Sequence, residues 1–344
     1  MIISSRAYPR AGLIGNPSDG YFGKTIAFTF TNFSAEIEMW ESPELELLPS
    51  RRDHSVFSGI QALHDDVRLH GYYGGFRLLK ASAKCFLDYC LARGIRLDNR
   101  NFTLRYRSDI PNRVGLAGSS AIITACVRAL MGFYHVSISR HSLANLVWSV
   151  ENQELAIPAG LQDRVSQAYQ GLVYMDFSRE LMEARGYGDY TLLDTRQLPP
   201  IYVAYREDLS EGTEVFHNNL RQRWNAGEPA VVEAMKFWAD LALQFREALE
   251  KGDRSRMHEL INANFDRRAS LYDVGPGNRD MVETARRAGA SAKFAGSGGA
   301  IVGIADDETV MDRLREAFAP KGIKVIRPDY APPIPVATVP RGVV

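Results

Sequence analysis

A glycine-rich segment at residues 111–121, PNRVGLAGSSA, has the composition of a loop that binds phosphate groups. Gly115 and Gly118 allow the backbone to turn tightly and to approach a ligand, and Ser119 or Ser120 can begin the apolar helix that follows. The free amides and the dipole at a helix N-terminus favour an anion. The segment lacks the Lys-Ser/Thr ending of a Walker loop, so it would bind phosphate without the lysine of that motif. The alternative is a glycine-rich turn with an ordinary helix cap.

The elements that would position this loop follow from the spacing of apolar residues. Residues 26–30 and 102–106 carry apolar side chains at every second position, which predicts two strands, the second ending near Ser108, just before the loop. Apolar residues between 143 and 150 share one face of a predicted helix that runs towards Glu154. We therefore expect the loop to join a strand to a helix, with a second helix following in the chain.

The second half of the chain contains a block of helical patterns with strands before and after it. In chain order we predict a strand, the helical block, a glycine-rich turn between two strands, a helix and a last strand, at 201–205, 229–287, 292–304, 308–318 and 323–326. Helices and strands are mixed without regular alternation, which favours an α+β fold. We place a domain boundary near residue 200, which gives domains at 1–200 and 201–344.

The composition is that of an ordinary globular protein that acts on small molecules. Hydrophobic residues make up 45% of the chain and charged residues 24%, and the 41 basic residues balance the 41 acidic residues. Because no excess of positive charge would attract nucleic acid or anionic lipid, we expect neither as a partner.

The cysteines and the hydropathy pattern bear on the compartment. Cys85, Cys90 and Cys126 form neither an even disulfide framework nor a pair spaced for zinc, which favours a reducing compartment. No basic region followed by a long apolar run begins the chain, and no stretch reaches ~18 uncharged apolar residues. We expect a cytoplasmic enzyme without a membrane span, and the sequence leaves its oligomeric state open.

Three segments together resemble the motifs of the GHMP small-molecule kinases, the superfamily of galactokinase, homoserine kinase, mevalonate kinase and phosphomevalonate kinase. They lie in the family's order at residues 9–19, 111–121 and 293–299 and span almost the whole chain. The second is highly specific, and the third would be weak alone. The resemblance implies a two-domain GHMP kinase-like α+β fold, with an N-terminal mixed α/β domain and a C-terminal ferredoxin-like α+β domain. It also implies ATP and Mg²⁺ as cofactors and a small-molecule acceptor.

Within the superfamily, residues 15–26, 160–165 and 171–177 are most similar to the glucuronokinases, which phosphorylate the anomeric hydroxyl of D-glucuronate. The sequence departs from the usual pattern at Ala117, where many relatives have glycine, and at Ser297, where alanine or glycine is usual. Neither residue is bulky, so phosphate binding is still expected.

The resemblance assigns roles to individual residues. Asp163 would be the general base or would orient the acceptor hydroxyl, and Arg10 would hold it ionised and stabilise the transferred phosphoryl group. Ser120 and Glu151 would bind Mg²⁺, which needs few protein oxygens. ATP would be bound by Gly115, Leu116, Ala117, Gly118, Ser119, Ser120 and Ala121. The substrate would be bound by Asp19, Lys24, Gly296, Ser297 and Gly298.

Several alternatives stay open at this stage. Glu151 could be a solvated helix-face acid, Asp163 a plain helix cap, and Arg10 a surface arginine at the start of a strand. The acceptor could be galactose, a heptose phosphate, fucose or a non-sugar alcohol such as mevalonate, and a silent binding protein is the rival of another class. A uronate would want a cation near its carboxylate, and Arg113, Arg164 and Lys24 are unranked candidates.

Overall fold

The computed structural model describes residues 2–49, 58–60, 74–157, 159–207 and 220–335. The strands are β1 (Ile2–Ala7), β2 (Arg10–Ile14), β3 (Lys24–Thr29), β4 (Ala35–Ser42), β5 (Glu46–Leu48), β6 (Asn101–Ser108), β7 (Leu172–Asp176), β8 (Asp189–Leu193), β9 (Ile201–Tyr205), β10 (Lys293–Phe294), β11 (Ala300–Ile304) and β12 (Lys324–Ile326). The helices are α1 (Gly75–Ala92), α2 (Gly118–Phe133), α3 (Arg140–Ser149), α4 (Gln162–Tyr169), α5 (Arg179–Arg185), α6 (Pro229–Lys251), α7 (Arg254–Leu271), α8 (Pro276–Arg287) and α9 (Glu308–Phe318).

The first sheet lies beneath the helix that follows the glycine-rich loop. It has four strands in the order β1-β4-β6-β5, and β5 is parallel to β6 whereas the other pairs are antiparallel. In β6 the apolar residues Phe102, Leu104 and Tyr106 are buried, as their spacing predicts. Helix α2 packs on β1 and β4. Because β6 ends at Ser108, this sheet delivers the chain directly into the loop at 111–117.

The second sheet carries the first motif and supports the helix that bears Asp163. Its four strands are antiparallel in the order β2-β3-β7-β8, with a bulge in β2 between Gly12 and Ile14. All five residues of β2 are buried. Helix α4 packs against β2, β3 and β7 and also against α2 and α3. Arg10, at the start of β2, is thereby held beside the N-terminal turn of α4.

The third sheet has the ferredoxin-like topology implied by the resemblance. Its antiparallel strands lie in the order β10-β11-β9-β12, with α6 to α8 between β9 and β10 and α9 between β11 and β12. Numbered along the chain, this is the order 2-3-1-4 of a split β-α-β unit. The two-domain α+β fold is confirmed. The third sheet begins at Ile201, although the main apolar core includes residues from both sides of it, and the boundary near residue 200 stays a prediction.

The helical block and the last helix are also confirmed. Helices α6, α7 and α8 fill residues 229–287, with breaks at Gly252 and at Gly275, and both glycines adopt a positive φ. Helix α9 occupies the predicted residues 308–318. Within the described ranges, none of the helices has the length and apolar content needed to cross a membrane.

Candidate active site

Arg10 joins all three motifs and Asp163 at one point. Its Nε and Nη2 atoms lie 2.7 Å from Oδ1 of Asp163, and its Nη1 donates to the carbonyls of Gly115, at 2.6 Å, and of Ala295, at 3.3 Å. Only 5% of the residue is exposed, so it is not the surface arginine of the alternative interpretation. A buried guanidinium with a planar set of donors fits such a junction because each donor finds an oxygen.

Asp163 lies in the first turn of α4 rather than at its cap. The helix begins at Gln162, and the cap position, Leu161, has helical backbone angles. The Asp163 carboxylate is engaged by Arg10 and lies 3.5 Å from Nη1 of Arg164. Its side chain is 14% exposed, so it is largely buried and still accessible to a small ligand.

Glu151 lies in a short π-helical turn that continues α3. This turn covers Val150–Glu154, and only 1% of Glu151 is exposed, which excludes a solvated helix-face acid. Its Oε1 accepts a hydrogen bond from Ser119 and its Oε2 one from Ser120, both at 2.8 Å. Such π turns inside helices are frequent at functional sites. The turn points the carboxylate at the first residues of α2.

Arg164 links the two carboxylates. Its guanidinium forms an ion pair with Oε2 of Glu151, lies close to Asp163 and also donates to the carbonyl of Gly160. Burial alone would lower the pKa of Arg164, but the charges of Glu151 and Asp163 outweigh it and raise that pKa. The sequence analysis missed this role, although the position of Arg164 directly after Asp163 was a signal. These contacts leave it unsuited to a substrate carboxylate.

The helix start differs from the expectation. Gly118 is the first residue of α2 and Ala117 stands at the cap, so the expectation that Ser119 or Ser120 begins the helix is wrong. Both serine hydroxyls are instead bound to Glu151. Because Ala117 has no side-chain group that could cap the helix, the first amides of α2 are available to an anion.

The backbone of the loop explains two of its small residues. Ala117 has a φ of 60°, a left-handed conformation that costs an L-residue ~1–2 kcal/mol, which is a physical reason for glycine in many relatives. Gly118 does not need a positive φ, and a Cβ atom there would meet only Ile110, at 3.4 Å. Leu116 is buried and its carbonyl accepts a bond from the Arg10 amide. Ala121 is buried within α2.

The third motif packs against this loop. Gly115 has a φ of 75°, and a Cβ atom there would lie 2.9 Å from the Ser297 nitrogen and 3.1 Å from the Gly298 oxygen. A Cβ atom on Gly296 would lie 2.1 Å from the Gly115 oxygen. The structure thus brings Gly296, Ser297 and Gly298 to the predicted phosphate loop, and a direct contact of these residues with substrate stays a prediction.

Asp19 lies close to Asp163 in a short 3₁₀ turn, Ser18–Tyr21. Its Oδ2 accepts a hydrogen bond of 3.1 Å from the amide of Gln162, the residue before Asp163. Burial, aided by the negative charge of Asp163, raises the pKa of Asp19 to about 6. Two neighbouring carboxylates of this kind can accept hydrogen bonds from a polyhydroxylated ligand.

Lys24 is engaged elsewhere. It forms an ion pair with Asp176, its antiparallel partner in the register of β3 and β7, and both side chains are 21% exposed. The Lys24 ammonium group is therefore paired with Asp176 rather than with Asp163. Its role in substrate binding stays a prediction.

Two further buried basic residues support the third motif, and the sequence did not predict this role for either of them. Arg268, 2% exposed, donates to the carbonyl of Gly296 at 2.8 Å and to the hydroxyl of Tyr272. Lys293, 1% exposed, donates to the carbonyls of Gly12, at 2.5 Å, and Phe294, at 2.7 Å. Burial, with Arg268 and Arg10 nearby, keeps the pKa of Lys293 well below its usual value.

The residues present fit both expected cofactors. Glu151 and Ser120 supply hard oxygen donors 2.8 Å apart at the start of α2, and a magnesium ion that keeps several waters needs only one or two such ligands. The N-terminus of α2, with Gly118 as its first residue, offers uncapped amides to a phosphate chain.

Comparisons with known proteins show which proteins this chain is similar to. The family model of the GHMP kinases N terminal domain matches residues 77–171, and that of the GHMP kinases C terminal region matches residues 245–324. Probable glucuronokinase 2 of Arabidopsis thaliana is 43% identical over 95% of this chain and 91% of its own length. Glucuronokinase 1 of the same plant is 44% identical over 87% of this chain and 84% of its own length. The crystal structure of Methanococcus jannaschii mevalonate kinase superposes with a TM-score of 0.71 at 19% identity, covering 96% of this chain and 98% of that one.

Proposed function

This chain belongs to the GHMP kinase family, and we propose that it transfers the γ-phosphoryl group of ATP to the anomeric hydroxyl of D-glucuronate in a Mg²⁺-dependent reaction. It is an ATP-dependent sugar kinase. The identity of the acceptor comes from the glucuronokinases, which are similar over most of both chains. A cytoplasmic location is part of the proposal.

The phosphate groups would be bound by residues 115–121. The amides at the start of α2 would point at them, and Arg10 would hold the loop through the carbonyl of Gly115. Glu151 and Ser120 would hold the magnesium ion, which when bound neutralises charge on the phosphates. Arg164 would keep the Glu151 carboxylate oriented towards Ser120.

Asp163 and Arg10 would act on the acceptor. The Asp163 carboxylate would take, or orient, the proton of the anomeric hydroxyl while the oxygen attacks the γ-phosphorus and the bond to the β-phosphate oxygen breaks, releasing ADP. Arg10 would orient the Asp163 carboxylate through the 2.7 Å contact and stabilise the charge on the transferred group. Asp19 would accept hydrogen bonds from other sugar hydroxyls.

The observation that carries the proposal is the ion pair between Arg10 and Asp163. Arg10 also binds the carbonyl of Gly115 in the loop that leads into α2, whose first amides are uncapped. Phosphoryl transfer needs this combination because it depends on positioning and on stabilisation of charge rather than on covalent catalysis.

A coupled assay of ADP release tests the proposal. We would supply ATP and Mg²⁺ with glucuronate, galacturonate, galactose, glucose, a heptose phosphate or mevalonate in separate reactions. The expected result is the highest kcat/KM with glucuronate. If uronates are inert and another acceptor turns over, the kinase assignment stands and the glucuronate assignment falls.

A further inference from the structure

We infer that Arg221 recognises the carboxylate of the sugar acid, an inference that rests on the proposed function. A carboxylate that leaves water needs a cation or several donors to replace its hydration. The acceptor end of this site contains the acidic residues Asp19 and Asp163, which would repel the carboxylate of the substrate. A cation at the opposite end of the sugar is therefore required for a uronate.

Five other basic residues of this region already have oxygen partners. Arg10 and Arg164 bind Asp163 and Glu151, respectively, and Lys24 binds Asp176. Lys293 and Arg268 are almost fully buried and donate to main-chain carbonyls of the third motif or its neighbours. These contacts position catalytic groups and loops, and a substrate carboxylate would have to displace them.

Arg221 differs from these five residues in its charge environment and in its exposure. It is exposed, and among the described residues no carboxylate lies within salt-bridge distance of it. Its Nη2 donates to the carbonyl of Gly20 at 2.8 Å, and its guanidinium lies over the ring of Tyr21, 4.2 Å from the centroid. Hydrogen bonding to the carbonyl and stacking on the ring hold the guanidinium plane without neutralising its charge.

The turn that holds Arg221 is also the turn that carries Asp19. Asp19 and Gly20 are consecutive residues of the same 3₁₀ turn, and Asp19 contacts the amide of Gln162, next to Asp163. The chain of contacts thus runs from the proposed base through Asp19 to the guanidinium of Arg221. A sugar whose anomeric hydroxyl is at Asp163 and whose ring hydroxyls are at Asp19 would present its far end to Arg221.

The test compares glucuronate with glucuronamide, which has the same ring and a neutral amide in place of the carboxylate. We expect Arg221→Gln to lower kcat/KM for glucuronate by about 10- to 100-fold, mainly through KM, because hydrogen bonds to charged groups contribute that much to binding. Activity on glucuronamide should change little, so the preference of the wild-type protein for the acid should collapse. Arg221→Lys should recover part of the preference, because lysine keeps the positive charge but lacks the paired N–H donors of the guanidinium group.

Arg179→Gln is the matched control. Arg179 also stacks on an aromatic residue of this region, Phe22, at 4.1 Å, but it has an acidic partner, Glu183. This variant should keep the wild-type ratio of glucuronate to glucuronamide. An Arg221→Gln variant with an unchanged ratio would overturn the inference and leave the proposed function standing. A wild-type protein that phosphorylates sugars but not glucuronate would overturn both.

Discussion

Arg10 donates from Nε to Oδ1 of Asp163 over 2.7 Å, although the two residues are 153 positions apart in the chain. The same guanidinium reaches the carbonyls of Gly115 and Ala295. The pair therefore fixes the position of the proposed base relative to both glycine-rich loops. Both side chains are largely buried, so the charge of each one is balanced by the other rather than by water.

We predict that Arg10→Met lowers kcat by about 10²- to 10³-fold, the usual cost of removing one preorganised charge donor. Because part of the effect of Arg10 acts through Asp163, its loss should cost less in an Asp163→Asn background. The measurement is a double-mutant cycle on kcat, with thermal unfolding of each variant to confirm the fold. Fully additive effects would show that the two residues act separately.

The metal site gives a second prediction, for Ser120→Ala and Glu151→Gln. Each variant should need about tenfold more Mg²⁺ for half-maximal activity, because each removes an oxygen atom that is proposed to bind the ion. Titration of the rate with Mg²⁺ at saturating ATP measures this. Ser119→Ala is the matched control, since the Ser119 hydroxyl also bonds Glu151 at 2.8 Å but is not proposed to bind Mg²⁺, and the variant keeps the backbone amide proposed to bind phosphate. Normal activity at limiting Mg²⁺ would show that the altered residue does not bind the ion.

Asp19→Asn should make the folded protein more stable at neutral pH. Burial raises the pKa of Asp19 from 3.8 to about 6, so the folded state disfavours its ionised form. The carboxyl group therefore contributes stability below about pH 4, and this contribution is lost as the pH rises through about 6. At pH 8 the variant should gain on the order of 2–3 kcal/mol in the free energy of unfolding.

Chemical unfolding of the wild-type protein and of Asp19→Asn at pH 4 and pH 8 measures this difference. The gain should shrink towards pH 4, where the wild-type carboxyl group is neutral, and this comparison is an internal control. Activity should fall in the same variant, because the neutral amide is a weaker hydrogen-bond acceptor for sugar hydroxyls than a carboxylate. An equal gain at both pH values would argue against a raised pKa.

The sequence predicted the elements of this site better than its contacts. The strand, the glycine-rich loop and the helical block follow from local spacing and local backbone preference, and the structure has them at 101–108, 111–117 and 229–287. The pairing of Lys24 with Asp176 depends on the register between β3 and β7, two strands far apart in the chain. No local pattern specifies such a register, so the sequence does not predict this ion pair, and the substrate role that the resemblance implies for Lys24 stays a prediction.

The start of α2 also depends on contacts between residues far apart in the chain. A serine before an apolar run is a good cap signal, but Ser119 and Ser120 lie inside the helix, and their hydroxyls donate to the Glu151 carboxylate. That carboxylate reaches them because a π turn follows α3, and Arg164 holds it from the other side. These are tertiary contacts between helices, which the amphipathic pattern of each helix does not encode.

Asp163→Asn is predicted to separate binding from turnover. An asparagine keeps the shape of the side chain but cannot accept the proton, so kcat should fall by about 10²- to 10⁴-fold, the range of a positioned base. ATP and glucuronate should bind nearly as before, which calorimetry can measure. A variant that loses sugar binding and retains kcat would instead make Asp163 a substrate-binding residue.

The position of phosphorylation tests the central claim most directly. A sugar phosphorylated on the anomeric hydroxyl loses its reducing end, whereas phosphorylation at any other hydroxyl leaves the reducing end free. Wild-type protein with ATP, Mg²⁺ and glucuronate should consume reducing sugar in step with ADP release. ADP formation with undiminished reducing ends would contradict the account, because the acceptor hydroxyl held at Asp163 would then not be the anomeric one.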